Sequence, residues 1–186
     1  AARADVTPEM RRRAKAVNFG IVYGISAFSL SQDIGSTVAE AKAYMDAYFA
    51  TFPGVRRYMD AVVEQARETG YVETLFHRRR DLPELSSSNR NLRAFGERVA
   101  LNMPIQGTAA DIMKLAMIAV WKGLRETIPE ARLVLQVHDE LIVECPEEQA
   151  EAVAQLLTEK MEHVVSLAVP LTADAHWGKN WLEAKG

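Results

Sequence analysis

Arg11, Lys15, Phe19 and Tyr23 recur at intervals of four residues. On a helix of 3.6 residues per turn each step drifts by about 40°, so the four form one stripe that runs from cationic to aromatic. Phosphates at the cationic end and a sugar or base against the rings suit a nucleotide laid along the helix. Arg12 and Arg13 bring the cations to four within five residues, close behind the Thr7-Pro8 pair that opens the helix. Cations at a helix N-terminus oppose its dipole, at about 0.3–1 kcal/mol each when exposed. An anion bound there reverses the sign, because backbone N–H groups and side chains then share one target. A solvated cation cluster followed by two core aromatics has the same spacing, and the pattern leaves both open.

Two further groups could do chemistry. The apolar runs Leu133–Val137 and Leu141–Val143 flank His138-Asp139-Glu140. Tight hairpin turns favour Asn-Gly or Asp-Gly, and here two adjacent carboxylates stand with no glycine. Such a tip can aim a carboxylate at Mg²⁺, which takes one or two carboxylates together with substrate phosphates. A solvated polar turn is the competing account. Arg98, Asn102 and Gln106 again repeat at four, with Pro104 distorting the last step. Guanidinium and amide groups in a row suit phosphates and the minor-groove acceptors of a duplex. An amphipathic capped helix explains that row equally well.

The elements that must hold these groups follow from local signals. Thr7 as N-cap and Pro8 at the first helical position predict a helix to about Tyr23, stopped by Gly24. A short helix over 27–34 ends at Gly35. Thr37 and Glu40 stand at capping-box spacing for the next one. Phe52-Pro53-Gly54 punctuates the chain before a helix over 55–68 that ends at Gly70. Residues 71–75 alternate like a strand, and 76–85 reads as a loop. Ser86–Asn89 cap a helix to about Asn102, which Pro104 interrupts before it resumes from Gln106 to about Glu126. Residues 132–137 and 141–145 are apolar strands that should both pack, Pro146-Glu147-Glu148 opens a helix to about Val165, and 169–173 reads as a last strand. The fold class is therefore α+β, mainly helical with few strands.

The chain has 186 residues, 48% apolar and 25% charged, with a formal net charge of −3. That is ordinary for a globular domain, or for two small lobes. The near-neutral total hides a net of +3 over residues 1–100 and −6 over 101–186. The basic excess lies in Arg11–Lys15 and in Arg78, Arg79, Arg80, Arg90, Arg93 and Arg98, which suits an anionic partner beside a cation site. No apolar run is long enough to span a membrane. The single Cys145 forms no internal disulfide and fits a reducing compartment. The opening AARADVTPEM carries no secretory signal and reads as a cut end.

The stretch from Arg11 to Gly24, RRRAKAVNFGIVYG, resembles motif B of family A DNA polymerases, the bacterial DNA polymerase I group. Gln136-Val137-His138-Asp139-Glu140 resembles their motif C. Asn102 to Asp111, NMPIQGTAAD, matches a third stretch in the right order, and Gly70–Leu75 and Trp181 also fit. The resemblance covers nearly the whole chain from Thr7 onward. It implies that residues 1–85 are a largely helical fingers portion and 86–186 part of an antiparallel-sheet palm. Arg11 and Lys15 would hold the triphosphate of an incoming dNTP, with Lys15 also serving catalysis. Phe19 would lie by the sugar, and Tyr23 by the templating base. Phe rather than Tyr at position 19 implies discrimination against dideoxynucleotides. Asp139 would bind catalytic Mg²⁺, one of two ions in the complete enzyme. Glu140 would assist, and His138 would contact the primer terminus. Arg98, Asn102 and Gln106 would line the primer–template.

Two departures from the family pattern stand out. His77 occupies the place of an expected glycine before the arginine run. The upstream motif A, with its second metal-binding Asp, is absent. The expectation is a portion of a template-directed DNA polymerase of replication and repair, inactive without the missing N-terminal part, and cytoplasmic beside the bacterial nucleoid. Its partners would be primer–template DNA and dNTP, with no membrane. The alternative is a non-catalytic nucleic-acid or nucleotide-binding module of the same fold.

Overall fold

The computed structural model describes residues 5–185. They form two compact units that divide between Thr108 and Ala109. That division lies inside a helix.

The first unit begins with α1 (Pro8–Val22), α2 (Ala27–Ile34), α3 (Val38–Thr51) and α4 (Pro53–Thr69). Side-chain caps start the first three, those of α1 and α3 as the sequence suggests, and α4 opens at Pro53 without one. Thr7 Oγ1 accepts from the Met10 N–H at 3.1 Å. Ser26 caps α2 through the Ser29 N–H. Thr37 and Glu40 form a complete capping box, and the amide and hydroxyl of Thr37 hold the Glu40 carboxyl below its ordinary pKa. Each such cap is worth about 0.5–2 kcal/mol relative to alanine. Leu30, Ile34 and Ala41 are buried between α2 and α3, with Ala16, Val17, Ile25 and Met45 packed around them. These contacts direct the opposite side of α1 to solvent.

After α4 the chain forms a hairpin, β1 (Tyr71–Glu73) and β2 (Arg79–Asp81), paired antiparallel with Val72 opposite Arg80. The expected loop over 76–85 is therefore corrected: it contains β2 and a 3-10 turn at Pro83–Ser86. Strand pairing and the burial of Leu82 and Leu85 supply what the charged sequence of that stretch conceals. Ala66, Val72, Leu82, Leu85 and Ala100 form the core here, and Val62, Val99 and Met103 pack against it.

Helix α5 (Arg90–Thr127) is continuous through Pro104, against the expected interruption. Pro104 removes one ladder hydrogen bond, a cost of about 3 kcal/mol in a helix interior. The buried Ala100 and Leu101 before it hold the helix in place. Thr108 Oγ1 donates to the Pro104 carbonyl one turn later.

In the second unit β3 (Arg132–Val137) and β4 (Glu140–Glu144) pair antiparallel, with a register shift between Leu133 and Leu135. Val120, Leu124, Ala131 and Val153 are its buried core. Leu133, Leu141, Val143 and Leu156 pack against them, the last from α6 (Ala150–Glu162). Both strands pack as expected, but in β3 only in part: Val134 and Leu135 stay 46% and 45% exposed. The irregular register at Val134 breaks the period-2 alternation that would have hidden one of them.

The expected strand over 169–173 does not form. The backbone of Ala173 is instead met by side chains of α6. Its N–H donates to Glu162 Oε1 at 3.0 Å, and its carbonyl accepts from Thr158 Oγ1 at 3.4 Å. A short helix α7 (Trp181–Ala184), capped by Asn180, completes the described residues. None of their helices is long and apolar enough to cross a membrane.

Candidate nucleotide and nucleic-acid interface

The cation cluster on α1 separates into two pairs. Glu9 accepts from Arg12 at 2.9 and 2.8 Å and from Arg13 at 2.9 Å. These hydrogen bonds pull its carboxyl from 4.5 to about 2. Arg12 also donates to the Asp33 carbonyl at the end of α2, at 3.3 Å. Arg12 and Arg13 are thus engaged locally. Arg11 and Lys15 are exposed and have no ion pair among the described residues. Two of the four cations share the Glu9 carboxylate, which offsets one of their charges, and the two on the stripe are left for an external anion.

The aromatic half of the stripe is also on the surface. Phe19 is 51% exposed and Tyr23 37%. Ile21 and Val17 take the core side of the helix, so the account with two core aromatics fails on burial. Lys15 Nζ lies 5.7 Å from the Phe19 ring centre. The Phe19 and Tyr23 rings are 6.2 Å apart and tilted by 35°. Arg11, Lys15, Phe19 and Tyr23 therefore make one exposed row that ends in paired rings.

A groove runs along the aromatic end, lined by Phe19, Gly20, Tyr23, Ser26, Asp33 and Arg98. Gly24 closes it in a left-handed conformation, φ +73°. A Cβ there would stand 3.0 Å from the Leu101 side chain, so a side chain at this position is opposed by both conformation and space.

The row Arg98, Asn102 and Gln106 is divided between two concavities of the first unit. Arg98 borders the groove beside Phe19 and Tyr23, with its guanidinium 6.0 Å from the Phe95 ring. Asn102 and Gln106 face a second concavity whose far wall is the β2 hairpin. Sequence reasoning noticed Arg78–Arg80 only as charge and did not assign them to this wall. No local signal could have found it, because residues 78–80 are three identical letters and only pairing with β1 gives them faces.

The hairpin tip rests on Thr74, which is 4% exposed. Its Oγ1 accepts from the N–H groups of Phe76 and Arg78 at 3.2 and 3.1 Å. Thr108 Oγ1 accepts from the Leu75 N–H at 2.9 Å, and Arg78 donates to the Gly107 carbonyl at 3.0 Å. A Cβ on Gly107 would stand 2.7 Å from Thr74 Cγ2. The glycine is what lets the hairpin seat this closely on α5. His77 has φ +62°. The conformation that a glycine would adopt freely is kept here by a residue that resists it.

In the second unit Val137 pairs with Glu140, so the turn is the two residues His138-Asp139 and Glu140 already belongs to β4. The three-residue turn expected from the sequence is corrected to this extent. His138 carries φ +52°, and Gln136 Nε2 donates to its carbonyl at 2.7 Å. Asp139 projects from the tip, exposed. Lys185 Nζ sits 3.6 Å from Glu140 Oε1.

No set of three metal-ligating side chains gathers among the described residues. The donors at this tip are hard carboxylate oxygens. They suit a Mg²⁺ ion that draws its remaining ligands from phosphates and from elsewhere.

A family model described as DNA polymerase family A matches residues 1–183. The chain belongs to DNA polymerase family A. It is 56% identical over 181 residues to DNA polymerase I of Geobacillus stearothermophilus, covering 97% of this chain and 21% of that protein. To the Bacillus subtilis DNA polymerase I it is 54% identical over 184 residues, covering 99% of the chain and 21% of the relative. Among solved structures, a complex titled the POL domain of Pol1 from M. smegmatis with DNA primer-template and dNTP matches with a TM-score of 0.94 at 47% identity. That match covers 98% of this chain and 32% of the other. This member of the family thus spans about a fifth of the length of these curated relatives, with the α+β class expected from its sequence.

Proposed function

We propose that this family A chain is the dNTP-binding and part of the metal-binding portion of a template-directed DNA polymerase. The reaction is attack of a primer 3′-hydroxyl on the α-phosphorus of a dNTP, with pyrophosphate leaving. The observation that carries this reading is the exposed row Arg11, Lys15, Phe19 and Tyr23, with Arg12 and Arg13 engaged by Glu9 beside it. Arg11 and Lys15 bind the triphosphate. Charge-assisted contacts from Lys15 strengthen as negative charge moves toward the leaving pyrophosphate. Phe19 packs by the sugar, and Tyr23 by the templating base. Arg98, Asn102 and Gln106 contact the primer–template, and His138 the primer terminus.

Asp139 holds one of two Mg²⁺ ions, with Glu140 assisting. Bound Mg²⁺ supplies Lewis-acid stabilisation of the attacking and leaving oxygens. The remaining carboxylates come from the part of the polymerase outside this chain, whose relatives are about five times longer. Residues 1–85 act as fingers and 86–186 as part of the palm, with the bacterial cytoplasm as the site of action.

Asp139→Asn in the parent-length polymerase tests the metal role. Its amide adds no negative charge to the ion, so extension should fall by several orders of magnitude while DNA binding persists. Near-parental extension by a folded Asp139→Asn enzyme would refute the assignment.

A further inference from the structure

The three consecutive arginines of the hairpin do not play one part. Cross-strand partners in an antiparallel pair share a face. Arg80 stands opposite Val72, and Val72 is buried in the core that also takes Val99 and Met103 of α5. Arg80 therefore lies on the face turned to α5, and Arg78, two residues earlier, follows it by the same alternation. Arg78 is tethered there, donating to the Gly107 carbonyl at 3.0 Å.

Arg79 lies on the other face. Its guanidinium covers the Tyr71 ring at 3.7 Å, and its Nε donates to Asp81 Oδ1 at 2.7 Å. That charge is already matched. Arg80 is exposed and has no ion pair among the described residues.

The concavity between β2 and α5 is bordered by all three arginines together with Asn102 and Gln106, and no carboxylate lines it; Arg79 borders it with its charge already matched by Asp81. An unmatched guanidinium across from two amide side chains is the chemistry of a nucleic-acid strand. The amides meet base-edge acceptors, and the arginine meets the flanking phosphate. We infer that Arg80 is a phosphate-contacting residue of the primer–template groove, steadied by the tethered Arg78, and that Arg79 is not. This rests on the duplex role of the Asn102–Gln106 row and assigns that row its opposite wall.

The test is fluorescence anisotropy of a labelled primer–template with the parent-length polymerase, without dNTP, from 50 to 200 mM KCl. Arg80→Ala should weaken binding roughly five- to tenfold at 50 mM and make the salt slope shallower by ~0.9, the loss of one neutralised phosphate. Arg80→Lys should keep the slope, because the charge remains. Arg79→Ala should change affinity by less than about twofold.

Equal losses for Arg79→Ala and Arg80→Ala would overturn the assignment by face. No loss for Arg80→Ala with a clear loss for Gln106→Ala would overturn it while leaving the duplex reading of α5 intact. No loss for either would overturn both.

Discussion

Gly107→Ala sets two opposed effects against each other in α5. Glycine in a helix interior is about 1 kcal/mol worse than alanine, so propensity alone predicts stabilisation. Against this, the new Cβ would stand 2.7 Å from Thr74 Cγ2, well inside the roughly 3.5–4.0 Å of an ordinary carbon contact. Thr74 has little freedom to yield. It is 4% exposed, and its Oγ1 holds the amides of Phe76 and Arg78. Turning the side chain would forfeit two hydrogen bonds, each worth about 0.5–1.5 kcal/mol, while overpacking costs about 1–3 kcal/mol. The clash wins, and a net loss of about 1 kcal/mol is expected, or roughly 2–4 °C in Tm.

Thermal and urea denaturation of the chain read the effect, and a second background makes the cause specific. In Thr74→Ser the methyl is gone but the hydroxyl remains, so Gly107→Ala should there become neutral or stabilising. Stabilisation by Gly107→Ala with Thr74 in place would show that the hairpin is not seated on α5 as described. A loss of the same size in both backgrounds would show that Thr74 is not the reason.

His77→Gly should stabilise the chain by up to about 1 kcal/mol, because φ +62° strains a histidine and not a glycine; a lower urea midpoint would refute this. Arg11→Ala and Lys15→Ala in the parent-length polymerase should each lower kcat/KM for dNTP by about 10²-fold, or ~2.7 kcal/mol, with primer–template affinity nearly unchanged; equal nucleotide kinetics would remove α1 from the site. Glu9, at about 2 in the fold against 4.5 otherwise, contributes stability that is complete above about 4.5 and lost as pH falls toward 2. Glu9→Gln should therefore flatten the acid limb of stability against pH over that window, and an unchanged acid limb would show that its arginine pairs do not matter.

Much of the local framework of the candidate site is legible in the sequence. The i, i+4 stripe on α1 needs only the helical period, and Thr7-Pro8 and Gly24 are sufficient local signals for where that helix starts and stops. The capping box at Thr37 and the hairpin around Asp139 are equally local. For such features the interacting atoms lie within a few residues of one another, so the order of residue types specifies them.

What needed the tertiary structure depends on neighbours distant in sequence. Spacing could not say whether Phe19 and Tyr23 face the core; the burial of Ile21 and the packing of Val17 against the α2–α3 core decided it. Propensity put a break at Pro104, but packing around Ala100 and Leu101 kept α5 whole. The apolar pattern over 169–173 pairs with no strand among the described residues, and α6 side chains meet Ala173 instead. Residues 78–80 are three identical letters in the sequence. Pairing with β1 gives two of them one face and the third the other, because strand alternation acquires direction only when a buried residue such as Val72 shows which face is inside.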